Sequence, residues 1–481
     1  MTGTPSPLAG RLESILDDSR IIIDPALCAE YAVDEIRPSA VAKPATAGEV
    51  AELVRFAASE KLAVIPCGNR TKFGIGMPPA RYDIALDMTG LNQIAHYDPG
   101  DLTLSVDAGA NFNHFAVPLY NQKQFLPLPV PFYFESTIGG IIASGVDCGL
   151  RHSYGTARDF LIGAEFVDGT GKLCKSGGRV VKNVSGYDLH KLLIGSLGTL
   201  AVITRLNFRT FPAAPVSRGF VASFSTAEDA LSLMRLVRDS AVAAASIELL
   251  NPELMRRILE AEKRSEAPAA ATLKGMFPAN CWHLCVSVEG SNEVCQRSVR
   301  DITHLADQAS SKAAQVRILD ENQGADLWHY IGQSVPLLLE SAPAAAIFKI
   351  VQLPGRLGAL LERLSRIAAQ SSLAHALVAR GCGVVYFALL PSSNEPEVQH
   401  ASTTVPDSLR MLKEAASSIF QLCAKENASA TLSWCPTALK YAIDIWGLSA
   451  VSDSPVPSDL ALMRRLKSAF DPCNVFSPGR F

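Results

Sequence analysis

No run of about 18 apolar residues interrupts this 481-residue chain, so the sequence offers no transmembrane helix. No block of one charge stands out either. Lys and Arg number 44 against 47 Asp and Glu, for a net charge of −3, which argues against a nucleic-acid partner. The 11 cysteines are odd in number and none forms Cys-x-x-Cys. A secreted disulfide framework and a cysteine-ligated iron–sulfur centre are both disfavoured. Cys281 and Cys285 sit in the apolar, strand-like CWHLCVSV, where burial on one face accounts for them. The N-terminal MTGTPSPLAGRLESILDD lacks the basic head and apolar core of a secretory leader, and a cytoplasmic location is expected. No Gly-x-Gly-x-x-Gly opens a helix, so a nicotinamide-binding unit is not expected. Any redox chemistry must then pass through a different cofactor or a partner.

What is present is a globular composition, 48% hydrophobic and 19% charged, with length for two or three cores. Residues 1–36 read as a short amphipathic helix and an irregular lead-in. Thr46 and Glu49 form a capping box before Val50, Leu53, Val54 and Ala57, the stripe of a helix packed on a sheet. The strand Ala63–Ile65 follows and ends at Pro66. Residues 83–88 and 102–108 read as strands, and Asn111 starts a helix running to Asn121. Phe160–Asp168 and Lys172–Lys175 pair through Asp168-Gly-Thr-Gly171. Leu200–Thr204 and Leu206–Phe211 read as further strands, and Pro212 and Pro215 close this part. Beyond it, Phe220–Phe224, a helix over 227–240 and Ala245–Leu250 make one strand–helix–strand unit. Ala346–Leu353, a helix over 356–369 and Val384–Leu390 make another. Two similar halves around an antiparallel sheet are expected. Glu260–Lys274, charged and alanine-rich, reads as a helix end and surface loop, and 409–424 as an amphipathic helix.

Three stretches have the small residues a large flat ligand requires. In Pro66-Cys67-Gly68-Asn69-Arg70-Thr71, successive amides of a turn after a buried strand can form a concavity for an anion; an ordinary turn would look the same. In Glu135-Ser-Thr-Ile-Gly-Gly-Ile-Ile-Ala-Ser-Gly145, Ser136 and Thr137 can cap a helix N-terminus, and Gly139 and Gly140 remove side chains where a ligand would need room. A tightly packed small-residue helix is the competing reading. The third stretch, Ser176–Thr204, carries VVKN, the Gly186-Tyr187-Asp188 turn, a short helix over 189–194, and Gly195 and Gly198 before a β-branched strand. It suits a cofactor floor of backbone, or a tight corner in a core.

These stretches together resemble the FAD-linked oxidase family, the vanillyl-alcohol oxidase type of flavin fold. The likeness is strongest to the FAD-binding E subunit of bacterial glycolate oxidase. It rests on PxGxxT, on the T-I-G-G helix start with Tyr154-Gly155 after it, on KN-x-x-GYD-L leading into G-S-x-G-x-L, and on the tail Phe470-Asp471-Pro472…Pro478-Gly479-Arg480. Ser477 stands where the family has Asn, and Ala201 where it commonly has Gly. The resemblance implies an α+β fold: a two-subdomain FAD-binding domain of the p-cresol methylhydroxylase (PCMH) type over 37–215 and an α+β cap with an antiparallel sheet over 216–435. A C-terminal segment, 436–481, would return to the FAD domain. It implies FAD, bound without a covalent link, since no His lies in 66–71 and no Cys in 132–140. It places Pro66, Cys67, Gly68, Asn69, Arg70, Thr71, Ser136, Thr137, Gly139, Gly140, Ser144, Gly145, Tyr154, Gly155, Gly198, Ile203 and Arg480 at the cofactor, and Lys182, Asn183 and Tyr187 near the flavin ring.

The implied activity is oxidation of a 2-hydroxy acid of the glycolate or D-lactate class. The implied setting is a complex with a sister flavoprotein and an iron–sulfur subunit, touching the inner membrane only through partners. Relatives that oxidise such acids themselves carry a metal-binding His-x-Gly-Asp-Gly-Asn-x-His run in the cap. The comparable run here, His375 to Tyr386, keeps one His and reads as a cap strand, so no metal is expected. Two alternatives stay open: a non-catalytic assembly subunit, and a self-sufficient alcohol oxidase.

Overall fold

The computed structural model describes residues 7–179, 186–264, 273–308, 313–391, 407–448 and 458–481. The chain divides into two compact units. One comprises residues up to Asp147, Gly155–Ala213 and Ser454–Phe481; the other comprises Cys148–Tyr154 and Ala214–Asp453. The second unit thus extends to Asp453, past residue 435 where the sequence reading ends the cap.

The first unit holds two sheets. Ala40–Ala42, Ile84–Asp87 and Val64–Cys67 lie parallel, with Ile21–Ile22 antiparallel at the edge. The helix Ala47–Glu60 supplies the crossover from Ala40–Ala42 to Val64–Cys67, which flank Ile84–Asp87. Its capping box forms as the sequence predicts, with Thr46 and Glu49 satisfying each other's backbone amides. Val50, Leu53, Val54 and Ala57 are buried in a core shared with Leu12, Ile84, Val202 and Phe476. The second sheet is antiparallel, in the order Ile94–Asp98, Thr103–Asp107, Val202–Arg209, Leu161–Val167, Leu173–Gly177. Its edge strand Ile94–Asp98 has no apolar alternation to announce it, because it is largely open to solvent. The two strands read between 200 and 211 are one, Val202–Arg209, whose register shifts between Ile203 and Arg205 break the pattern. The short helix read over 189–194 is a 3₁₀ helix, Leu189–Leu193.

The tail closes this unit as a backbone element. Val64 donates to Val475 (2.8 Å) and Ser477 donates to Val64 (2.9 Å), so Phe476 lies as a parallel bridge beside the strand that leads into the 66–71 loop. Asp471, almost fully buried, accepts the amides of Val475 (2.9 Å) and Phe476 (2.7 Å) and pairs with Lys467. Lys467 also donates to the carbonyls of Thr199 and Phe476, both at 2.8 Å.

The second unit is built on one eight-stranded antiparallel sheet. Its order is Gln315–Leu319, Val216–Phe224, Trp282–Gly290, Ala244–Leu250, Ala374–Arg380, Val384–Leu390, Ala346–Val351, Ser429–Trp434. Numbered within each half, these strands run 4-1-3-2 and then 2-3-1-4. Two βαββαβ halves therefore meet edge to edge along Glu248–Leu250 and Val378–Arg380. This is the paired architecture the sequence suggests. In the second half residues 374–390 fold as a hairpin around Gly383, whose φ is +93°, which adds the strand Ala374–Arg380 to those the sequence shows; in the first half the helix Pro252–Arg264 lies between the corresponding strands. His375 sits on the first of those strands, half-buried, within 3.1 Å of the Ser365 hydroxyl and stacked on Phe387.

Candidate functional site

The parallel strand Val64–Cys67 ends in a loop whose backbone cannot continue as strand: Arg70 has φ +61°. Two further pieces of the first unit converge on that loop. The helix Ile138–Ser144 is capped by Thr137, whose Oγ1 accepts from Gly140 N at 3.3 Å, and it stops at Gly145 in the left-handed region. The turn 195–198 docks on that helix: Gly195 donates to Ile142 (2.9 Å) and Leu197 to Ala143 (2.8 Å). A Cβ on Gly145 would come within 2.9 Å of Gly195 Cα, so this meeting of two glycines sets how closely the turn approaches.

The three pieces line one open cleft. Thirteen of the residues the sequence assigns to cofactor contact line it: Pro66, Cys67, Gly68, Asn69, Arg70, Thr71, Thr137, Gly139, Gly140, Ser144, Gly198, Ile203 and Arg480. Apolar Ile65, Met88, Ala108, Ala143, Leu197 and Ala201 complete the wall with Lys72 and Phe73. The methyl of Ala201 thus stands in the cleft wall.

The remaining assigned residues are placed otherwise. Ser136 is buried behind the lining, donating to Phe132 O (2.6 Å) and lying 3.0 Å from Thr71 Oγ1. Gly145 ends the helix and does not line the cleft. Neither does Gly155, which has φ +78°. Tyr154 belongs to the second unit, where its hydroxyl donates to Glu289 at 2.9 Å. Tyr187 is 91% exposed on the Gly186 turn and is not among the residues lining the cleft. Lys182 and Asn183 lie outside the described residues.

The electrostatics of the cleft are one-sided. Arg70, Lys72 and Arg480 line it, and no carboxylate does among the described residues. Arg70 lies with its guanidinium 4.2 Å over the Tyr31 ring. Arg480, 4% exposed, donates to the carbonyls of Phe73 (3.0 Å) and Ile75, and burial lowers its pKa to about 10. Its Nη1 has no hydrogen-bond acceptor, with Asp34 Oδ2 at 3.8 Å. Lys72 is the residue the sequence reading passes over. Its only signal is position, one residue past a motif whose turn chemistry ends at Thr71. Burial pulls its pKa down to about 7. Cys67, also buried, has its thiol pushed well up, and it donates weakly to Leu86 O at 3.6 Å.

A cleft walled by glycine and alanine, with cations and backbone at one side and aliphatic side chains at the other, fits a flat molecule with an anionic linker. Arg480 Nη1, which has no hydrogen-bond acceptor and only the Asp34 carboxylate at 3.8 Å, and a lining without carboxylates among the described residues fit a diphosphate. This is the design of a flavin-nucleotide site in a two-unit oxidoreductase.

The comparisons agree. The FAD binding domain family matches residues 38–177, and the FAD linked oxidases C-terminal domain matches 214–408 and 453–481. The chain belongs to the FAD-linked oxidases, and FAD is its cofactor. It is 23% identical over 455 residues to glycolate oxidase subunit GlcD of Bacillus subtilis, covering 92% of this chain and 88% of that one. It is 35% identical over 162 residues to glycolate oxidase subunit GlcE of Escherichia coli, covering 34% of this chain and 46% of that one. Among solved structures, p-cresol methylhydroxylase with substrate bound superposes with a TM-score of 0.75 at 15% identity, over 98% of this chain and 95% of that one. The fold is therefore of the PCMH type, α+β, as expected from the sequence.

Proposed function

We propose that this chain oxidises the CH–OH group of a small 2-hydroxy acid, of the glycolate or D-lactate class, as the FAD-bearing subunit of a glycolate oxidase-like complex. The observation that carries the reading is the convergence of the three glycine-bearing segments on one cation-lined cleft. FAD, held there without a covalent link, supplies the two-electron acceptor for the alcohol carbon. Within this chain, Arg70, Lys72 and Arg480 supply positive charge for the diphosphate. Gly68, Gly140 and Gly198 let backbone come close to the nucleotide. The aliphatic wall of Ile65, Leu197 and Ile203 keeps water from its flat part.

The likeness to both GlcD and GlcE supports a sister flavoprotein as partner, with an iron–sulfur subunit to pass electrons on and a peripheral place at the membrane gained through these partners. Among the described residues no helix is long and apolar enough to cross a membrane.

A second reading, an assembly subunit that binds FAD without turning over, is favoured by His375, which is held by Ser365 and Phe387, with no cluster of three metal-ligating side chains found among the described residues. One measurement separates the two. The visible spectrum of the purified chain, taken anaerobically, is expected to show oxidised flavin that bleaches when glycolate or D-lactate is added. Flavin that stays oxidised alone but bleaches once the partner subunits are supplied supports the subunit role. Flavin that never bleaches while the complex still turns over favours the assembly reading.

A further inference from the structure

We propose that Lys72 is the principal counter-charge for the diphosphate of the flavin nucleotide, so that binding FAD is coupled to uptake of a proton by this chain. The inference rests on the reading of the cleft as the FAD site and adds a residue and a linkage to it.

The geometry is that of a buried cation on neutral partners. Lys72 lines the cleft yet is only 9% exposed. Its Nζ donates to the hydroxyls of Ser136 and, at 3.3 Å, Thr71, and it lies 5.7 Å from the centre of the Phe132 ring. All three are neutral. No ion pair to Lys72 is found among the described residues, and Glu135, whose field favours the charged ammonium, is itself exposed. A buried ammonium with neutral partners loses its hydration without a Coulomb return. With these neutral partners, burial brings the ammonium's pKa down to about 7, well below the ordinary lysine value. A diphosphate carries two negative charges over the whole physiological range. Placed against Nζ, it restores the return and lifts the pKa back toward that of an ordinary lysine.

The neighbouring groups leave Lys72 as the one whose charge changes over this range. Cys67 on the same loop and Tyr133 beside Phe132 are both pushed up by burial and stay neutral. Arg70 and Arg480 are guanidiniums and stay charged. The sign follows from linkage. The bound state holds the proton above pH 7 and the free state does not, so affinity is full below about pH 7 and falls above it.

The test uses the full chain stripped of flavin. FAD is titrated at pH 6 to 9 and followed by flavin fluorescence. Calorimetry at pH 8 in two buffers of different ionisation enthalpy counts the protons taken up. For the native chain, Kd is expected to rise up to about tenfold per pH unit above 7, with close to one proton taken up at pH 8 and almost none at pH 6. Lys72→Met should weaken FAD about tenfold to a hundredfold at pH 6 and abolish the pH dependence, whereas Lys72→Arg should keep the affinity and flatten the slope. Riboflavin, which lacks the diphosphate, should bind all three forms alike. Tight, pH-independent FAD binding by the native chain with no proton uptake overturns the proposal without any variant, and so does a Lys72→Met chain that binds like the native one. A native chain that binds no FAD overturns the cofactor reading beneath it as well.

Discussion

Gly68 shows how much of the cleft depends on one missing side chain. A Cβ there would lie 2.1 Å from Thr137 Oγ1 and 2.6 Å from its Cγ2, the residue that caps the helix over 138–144. Gly68→Ala must push that cap aside, and overpacking of this kind costs about 1–3 kcal/mol. The expected outcome is a lower urea midpoint together with weaker FAD binding. Adding Thr137→Ala should give a double variant less destabilised than the sum of the two, because the contacts with Oγ1 and Cγ2 are removed and only Cβ, at 2.8 Å, remains. Strict additivity would show that Gly68 and Thr137 do not press on one another. The sequence marked Gly68 as special, but it did so for closeness to a ligand. The contact with Thr137, 69 positions along the chain, is the reason the structure supplies.

At the scale of elements, the tail is the most instructive piece. It contributes a bridge beside Val64–Cys67 and carries Arg480 to the cleft, so the loop that faces the nucleotide is buttressed from the far end of the chain. Asp471 is the pin: it holds two backbone amides and the Lys467 ammonium, and Lys467 in turn holds Thr199, next to Gly198. Removing one partner of a buried ion pair strands the other. Asp471→Ala is therefore expected to cost about 3–5 kcal/mol in chemical denaturation. Replacing Lys467 by Met in that background should return part of it, since no buried charge is then left over. If the double variant is no more stable than Asp471→Ala, the amide bonds rather than the ion pair hold the tail.

For the whole molecule, the cofactor and the fold are linked by mass action. FAD at a hundredfold excess over its Kd should stabilise the chain by about 2.7 kcal/mol, and the thermal midpoint should rise with FAD concentration. Hydrogen exchange is expected to slow in three separated stretches, 65–73, 137–144 and 197–203, because these line the cleft. Slowing spread evenly along the chain, or absent from these stretches, would remove the cleft from consideration as the FAD site.

The sequence by itself determined the local pieces whose physics is local. The Thr46–Glu49 capping box, the helix stripe at Val50 to Ala57, the 160–175 hairpin and the glycine-bearing turns each need only neighbours a few residues away. The cofactor class came from the resemblance of these ordered motifs to the FAD-linked oxidase family, since each motif taken alone also fits an ordinary turn or a packed helix. The sequence could not determine what those motifs touch. Lys72 gives no signal in sequence, since a lysine after a polar loop is usually solvated; only Phe132 and Ser136, arriving from 60 residues away, bury it. Tyr187, prominent in its motif, points to solvent because the Gly186 turn carries it outward. The edge strand Ile94–Asp98 escaped notice because an exposed strand needs no apolar alternation. Burial and long-range pairing are properties of the assembled chain, and they decide which charges are costly and which side chains reach the cleft.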